Sequence, residues 1–435
     1  MKKCYIMSKS KDRAEAQRFI KNINGTTKFS ISKNSRALGL SRQTYQNKLD
    51  GLRDQKIITN FTININPDIR PNNLKYIMLE IKTNPKEPEL VDELLKIPQL
   101  RVLDGIFGDF SLFALFIFKS PEEYYTTLNS IDNLMAKSYF KKYQIIETIK
   151  IFKTNGISLR KSNLSFEDGL KEIVAEKLGS ADFSDKIEDI EINLPSKINL
   201  NQIAIKNSDI EYNPDRFPGL IVKMKAVKAR IIIFSSGKII LASIRNTTDV
   251  DQLIKIMIKK IKNLGIKLDQ IPGDLSFKID EIDYKILKIL RDGQGLKPIS
   301  TYEIKEIFTK KLNSEISQST IHNRIKKLEQ QGVILNYTVN FSPKKVGFKG
   351  KYLLRVKPKD PSKYNELALS LEMHKNITDL FRIGEQYGLF AIVRVKKAED
   401  YGNFIRDLYN SEEIEDTFTN FVLDELVSYT NFAIF

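Results

Sequence analysis

Apolar residues fall at helical spacing in Ile321, Ile325 and Leu328, then switch to strict alternation in "LNYTVNF", 335–341. The same switch occurs near the other end of the chain, where a helical stretch runs into "TNFTINI", 59–65. These patterns predict helices over Asp12–Ile23, Ser32–Leu38 and Ser41–Lys56, and again over Glu281–Asp292, Thr301–Lys311 and Gln318–Gln331, each set followed by a strand. Beyond the second set the pattern predicts a strand in "GKYLLRVKP", a helix over Ser362–Met373 and two strands in "LFRIGEQYGLFAIVRV". A helix over Glu399–Leu408 and a closing strand, "NFVLDELVSYTNF", complete it. This is a winged helix-turn-helix followed by a βαββαβ unit.

The middle of the chain alternates differently. Phe217 to Met224 and Ala229 to Ser235 read as an antiparallel hairpin turning near Ala226, with Phe217 opposite Phe234. Parity puts Leu220, Val222, Met224, Ile231 and Ile233 on one wholly apolar face. Phe217, Ile221, Lys223 and Lys225 share the other, continued by Phe234, Ile232, Arg230 and Lys228. "KIILASIR", 238–245, is a third strand. Asp249–Leu264 is an amphipathic helix stopped by Gly265, and it covers the apolar face. Both phenylalanines are thereby left on a basic, uncovered face.

The two ends are copies of one architecture. "QTYQNKLDGLRDQKIITNFTININP" (43–67) aligns without gaps to "STIHNRIKKLEQQGVILNYTVNFSP" (319–343), and Thr44, Asn47, Leu52, Gln55, Ile58, Asn60, Thr62, Asn64 and Pro67 recur at one constant shift. "GDFSLFALFIFKSPEEY" (108–124) resembles "GEQYGLFAIVRVKKAEDY" (384–401) after one inserted residue.

Composition narrows the function. The chain has 435 residues, a formal charge of +16 and 41% hydrophobic residues, which fits several folded domains and an anionic partner, most often nucleic acid. One cysteine, Cys4, excludes an internal disulfide framework and fits a reducing compartment. With only His322 and His374 beside it, no zinc site of the usual type is expected, and no other metal or cofactor. The start, Met1–Arg13, does not read as a signal peptide, and the most apolar stretch, Ile106–Phe118, contains Asp109 and is too short to span a bilayer. A cytoplasmic protein with no membrane partner is expected. "SSGK" at 235–238 is no phosphate loop, because Ile232 holds the first Gly position and Ile239 the Ser/Thr position. No nucleophile triad is available, so no enzyme activity is expected.

The segment "ISQSTIHNRIKKLEQQGVI", 316–334, resembles the leucine-responsive regulator (Lrp/AsnC) family, and the likeness extends over nearly all of 279–435. In "LGLSRQTYQNKLDGLRDQKII" Lys56 replaces Gly332 and Arg53 replaces Glu329. The resemblance implies DNA binding through the third helix of each set. It also implies that the βαββαβ (RAM) part pairs subunits and senses amino acids. On physical grounds, polar groups at a helix start suit a groove and its phosphates. These are Arg42, Gln43, Gln46 and Asn47 in the first copy and Gln318, Ser319, Thr320, His322 and Asn323 in the second. The loops Gly105–Asp109 and Gly384–Gly388, with Gly108, Asp109, Gly384 and Glu385, are the places for a small amino-acid effector, or plain turns.

Within the middle domain, "YNPDRFPGLI" with "IFSSGK" is similar to one repeat of the TATA-box-binding protein family, and the likeness extends over about 186–275. That likeness implies that Phe217 and Phe234 wedge into the minor groove. It implies phosphate contacts from Lys223, Ser236, Lys238 and Arg245 and a base contact from Ile240. Ala242 stands where the family has Thr, and Asp189 where it has Asn. Only one repeat is present, so the half-saddle has an edge strand to pair, and a homodimer or higher homo-oligomer is expected.

The expected fold class is α+β multidomain. A winged helix-turn-helix (1–70) and a ferredoxin-like, RAM-like unit (71–155) come first, then a linker (156–185). The half-saddle domain, an antiparallel sheet with helices on one face, spans 186–275, and a second winged helix-turn-helix (276–345) and RAM-like unit (346–435) follow. The expected function is a DNA-binding transcription regulator of archaeal type acting on double-stranded DNA. The alternative is an adaptor that binds basal transcription factors through its middle domain without bending DNA.

Overall fold

The computed structural model describes all residues except 1, 26–27, 70–72, 85–86, 160–187, 194–197, 207–209, 211, 215, 225–228, 245–249, 267–277 and 435. The expected linker helix Phe166–Leu178, the turn with Lys225 and Lys228, and Arg245 lie outside the described residues, as does the side chain of Asp189. Two compact units result: Met1–Leu159 with Ile279–Phe435, and Arg160–Lys278 between them.

The first unit begins with helices α1 (Lys2–Ile23), α2 (Ile31–Ala37) and α3 (Arg42–Asp54) and strands β1 (Ile58–Ile65) and β2 (Lys75–Ile81). Then come α4 (Pro88–Leu95), β3 (Leu100–Ile106), β4 (Leu112–Phe118), α5 (Pro121–Lys137), β5 (Tyr143–Thr154) and β6 (Ile157–Ser158). The second unit holds β7 (Glu188–Asn193), α6 (Leu200–Lys206), β8 (Gly219–Met224), β9 (Ala229–Phe234), β10 (Lys238–Ile244) and α7 (Val250–Asn263). The first unit resumes with α8 (Glu281–Asp292), α9 (Thr301–Lys311), α10 (Gln318–Gln330), β11 (Ile334–Phe341) and β12 (Gly350–Pro358). It ends with α11 (Tyr364–Leu371), β13 (Ile377–Ile383), β14 (Leu389–Val395), α12 (Ala398–Asn410) and β15 (Ile414–Glu425).

The helix ends follow from local chemistry. Ser41 and Ser317 cap α3 and α10 by accepting the backbone N–H of Thr44 and Thr320, each at 3.0 Å. Asp280 with Asp283, and Ser300 with Glu303, close capping boxes on α8 and α9. After α10 the chain turns at Gly332 with φ 66°, and after α3 it turns at Lys56 with φ 52°. Ile57 N–H reaches Leu52 O at 2.9 Å and Val333 N–H reaches Leu328 O at 3.0 Å, so both copies make the same turn. Lys56 therefore keeps the geometry of the glycine it replaces, in a left-handed conformation that strains a side-chain-bearing residue.

The two copies join about a pseudo-two-fold axis. Strands β1 and β11 pair antiparallel with Thr62 opposite Thr338, which are equivalent residues of the repeat. The Asn64 side chain donates to Asn336 at 2.9 Å, and Asn340 donates to Asn60 at 3.0 Å. Asn60 is equivalent to Asn336 and Asn64 to Asn340, so these two contacts are one contact made twice, as in an isologous dimer interface. The N-terminal helices share their core with the other copy: Phe19, Tyr45 and Leu49 pack with Val339, Phe341 and Phe432.

A nine-stranded sheet has the order β13-β14-β12-β15-β3-β4-β2-β5-β6. Pairing of β13 with β5 closes this sheet into a barrel, with β6 outside the ring. Helices α4 and α5 cover the outside of one half through Leu90, Leu94, Tyr124 and Ile131. Helices α11 and α12 cover the other through Leu367, Leu371, Tyr401 and Phe404. Inside, Phe113 stacks on Phe390 with centroids 5.3 Å apart, again equivalent residues. Glu80 faces Phe113 in its ladder and Arg355 faces Phe390, so Glu80 and Arg355 are equivalent too. They meet across the axis as a buried ion pair at 2.7 Å. Lys351 to Asp104 at 2.7 Å and Arg394 to Glu425 at 2.7 Å complete the buried pairs.

Several expectations need correction. Residues 156–159 do not belong to a linker: Gly156 N–H donates to Thr378 O at 2.7 Å, Ile157–Ser158 pairs with β5, and Leu159 is buried. The closing strand is Ile414–Glu425 rather than 420–432. Leu426 turns to Leu103 O, and Phe432 plugs the helical core instead. In the second unit Gly219, not Phe217, lies opposite Phe234, because Phe217 N–H is held by Asn213 O at 3.0 Å ahead of the strand.

The second unit is a four-stranded antiparallel sheet, β7-β10-β9-β8. Leu220, Val222, Met224, Ile231, Ile233, Ile239 and Leu241 form its core with Leu200 and Ile203 of α6 and Leu253, Ile254, Met257 and Ile261 of α7. Both helices therefore lie on one face.

Two outcomes test this account. Arg355→Glu puts two carboxylates in the barrel, and a loss of about 3–5 kcal/mol is expected in denaturant titrations read by near-UV circular dichroism. Adding Glu80→Arg should recover much of it. Lys56→Gly is expected to raise stability by about 1 kcal/mol, seen as a higher unfolding midpoint.

Candidate nucleic-acid interface

The open face of the second unit is built in rows across three strands. Gly219 and Phe234 form one row; Ile221, Ile232 and Ile240 the next, with Lys238 two residues before Ile240 on the same strand; Lys223, Arg230 and Ala242 the third. The three isoleucines are half-buried, while Lys223 and Arg230 are exposed. The face thus has an apolar band with cations at its margins. Sequence parity had already placed Ile221, Ile232 and Arg230 here, but only residues matched by resemblance were singled out as site residues.

Phe217 and Phe234 meet edge to face, centroids 5.8 Å apart and planes at 62°. Phe217 remains 37% exposed, so the pair is not a core contact. The glycine makes the pairing possible. A Cβ on Gly219 would lie 2.6 Å from Phe217 Cε1 and 3.2 Å from Phe234 Cε1. Ser236 is exposed in the next turn, where Gly237 takes φ 92° and its N–H returns to Phe234 O at 3.0 Å.

The two helix starts differ in how free their polar groups are. In α3, Arg42, Gln43 and Asn47 are exposed, but Gln43 donates to Asn47 at 2.9 Å. Gln46 is half-buried and donates to Asp50 at 2.9 Å, which also takes Arg53 at 2.7 Å. In α10, Gln318 donates to Thr301 at 3.0 Å, and the Ser319 and Thr320 hydroxyls sit 2.8 Å from Ser317 Oγ. His322 and Asn323 are exposed and make no side-chain hydrogen bond to the described residues. Arg324 fastens this helix to the α8 cap through Asp280 at 2.7 Å and Asp283 at 2.9 Å. Those carboxylates help hold the charged state of Arg324, whose pKa lies above the usual value.

The proposed effector loops are tied into the barrel closure. Gly384 N–H donates to Glu147 O at 3.2 Å, and Phe107 N–H to Phe421 O at 3.3 Å. Arg355 donates to Glu385 at 2.9 Å and to Asn420 at 2.9 Å, and Asn420 donates to Phe107 O at 3.4 Å. One polar chain thus links Glu385 to the loop of Gly108 and Asp109. Gly108, at φ 146°, lies close to Asn420; Asp109 is exposed. His374 accepts the Asn376 N–H at 3.2 Å, and burial with nearby Lys153 pushes its pKa down. Among the described residues no group of three or more His, Cys, Asp or Glu side chains could hold a metal ion, and no helix is long and apolar enough to cross a membrane.

Residues 190–264 match the family model of transcription factor TFIID, or TATA-binding protein, and residues 352–432 match the Lrp/AsnC ligand binding domain. The HTH-type transcriptional regulator FL11 of Pyrococcus horikoshii is 33% identical over 145 residues, which are 33% of this chain and 89% of that protein. The TATA-box-binding protein of Archaeoglobus fulgidus is 31% identical over 111 residues, 25% of this chain and 55% of that protein, so the chain spans about half of that relative. Among solved structures, the siroheme decarboxylase NirDL aligns over 95% of this chain and 91% of that one, with a TM-score of 0.42 and 10% identity. The chain belongs to the Lrp/AsnC-like HTH-type transcriptional regulators and carries a TATA-binding-protein-like segment within it.

Proposed function

We propose that this regulator binds and bends duplex DNA through the open sheet of its inserted domain, with Phe217 and Phe234 as the wedge. The observation that carries this reading is the ring pair standing beside a bare isoleucine band with cations at its margins. Apolar side chains driven between base steps unstack them at a cost of a few kcal/mol per step, offset by the larger contact with bent DNA. Lys223, Arg230 and Lys238 are placed to meet phosphates.

Each end of the chain then acts as a winged helix-turn-helix joined to a RAM-like half-barrel. Exposed His322 and Asn323 read bases from α10, while Arg42, Gln43 and Asn47 of α3 add contacts of their own. Pairing of the two barrel halves is supplied within one chain, so further self-association runs through an edge strand of the inserted sheet. A small amino-acid effector at the Gly108 and Glu385 loops would act through the Arg355 and Asn420 chain that joins them. The protein works by binding rather than catalysis.

Fluorescence measurement of end-to-end distance in a promoter duplex tests the wedge. Phe217→Ala with Phe234→Ala is expected to abolish bending while the fold is retained. Binding without any bend by the unaltered protein would defeat the wedge and favour the adaptor reading. Asn323→Ala with His322→Ala is expected to relax base preference by about 1–3 kcal/mol at the contacted position. Lys223→Ala should instead lower the slope of log affinity against log salt by about 1, uniformly across sequences.

A further inference from the structure

Strand β3 carries an irregularity between Leu100 and Val102, and β13 carries its counterpart between Ile377 and Asp379. The extra residues are Arg101 and Thr378. They are equivalent, since Leu100 faces Phe116 and Ile377 faces Val393, which align in the repeat. A bulge re-aims the side chain of its extra residue, and bulges gather beside functional sites. Thr378 is buried and satisfied, donating to Ile392 O at 3.2 Å. Both bulge residues line a cavity of about 240 Å³ at the seam between α8 and the barrel, and Arg101 also lines a second of about 300 Å³.

The other cations lining the first cavity each have a carboxylate. Arg291 meets Asp292 at 2.8 Å, Lys351 meets Asp104 at 2.7 Å and Arg394 meets Glu425 at 2.7 Å. Arg101 has no ion pair among the described residues. Its Nη1 donates to the carbonyls of Pro98 at 2.9 Å and Leu100 at 3.0 Å, and its buried Nε has no acceptor. Asp379 does not compensate it: that carboxylate accepts the Asn155 N–H at 2.9 Å, and burial pushes its pKa up. Burial, with the charge of Arg291, pushes the Arg101 pKa down to about 10, which leaves it charged at neutral pH.

We propose that Arg101 anchors a binding site for one small oxyanion per chain, a carboxylate or a phosphate, at the seam where α8 meets the barrel. The smaller cavity matches roughly eight waters at about 30 Å³ each, so the ligand has only a handful of heavy atoms. The two equivalent positions meet in the first cavity, and only Arg101 brings a charge to it, because its counterpart is Thr378. It bears on α8 directly. Arg291 and Asp292 line both cavities, and Thr62 Oγ1 donates to Arg291 O at 2.8 Å. An anion there would hold the C-terminal helices against the barrel.

Thermal unfolding and calorimetric titration of the full chain test this with sodium propionate and with inorganic phosphate, against sodium chloride at matched ionic strength. One or both anions should bind at one equivalent and raise the midpoint by about 4 °C at a hundredfold excess over Kd. Whichever anion acts identifies the carboxylate or the phosphate class. Arg101→Gln should remove the shift and Arg101→Lys should retain part of it. No shift from either anion in the parent, or equal shifts in the parent and Arg101→Gln, would overturn the site. So would a ligand-free midpoint for Arg101→Gln below the parent's, which would mark the arginine as structural.

Discussion

The barrel closes on an unlike pair at like positions. Glu80 and Arg355 occupy the same place in the two copies, so an exact two-fold would oppose Glu to Glu or Arg to Arg at a buried position. Opposed like charges of that kind are repelled without screening. Divergence of the copies at this one position removes the conflict and makes each half the specific partner of the other. The equivalent Phe113 and Phe390 need no such divergence, because two rings stack as well as one ring and its double. Around this centre the β1–β11 ribbon, the shared helical cores and the loop-to-strand contacts are all made across the same axis.

Much of the first unit was legible in the sequence because helix starts and stops are local. Ser41, Ser317, Asp280 and Ser300 announce their helices within three residues. Pairing partners were not legible. Alternation in "TNFTINI" fixes a strand and its faces, but says nothing about whether the ladder is made within a copy or between copies. The tail was misread for a related reason. Alternating residues continue through 426–432, yet the regular ladder ends at Glu425, where the N–H groups of Leu426 and Val427 both turn onto the one carbonyl of Leu103. Lys56 looked like a departure from its family and proved to be a conformational match, since φ is set by the turn and not by the residue's preference.

The candidate interface shows the same division. Parity alone placed Phe217 and Phe234 on the uncovered face, and two residues of error in register left that parity unchanged. What parity could not supply was the reason the rings touch, which lies in the missing Cβ of Gly219 rather than in direct opposition. Arg101 was not singled out, because the break in alternation at its bulge, which leaves Leu100 and Leu103 in one core, does not say which side chain meets a cavity.

A barrel closed within one chain has a consequence in mass action. Two separate subunits would part on dilution, and their paired form would fall with the square of the free-subunit concentration. Here the second half is always at hand, and its effective concentration is set by the covalent connection. The ratio of the two unlike helix units is fixed at synthesis, and scarcity of the protein cannot unmake their pairing.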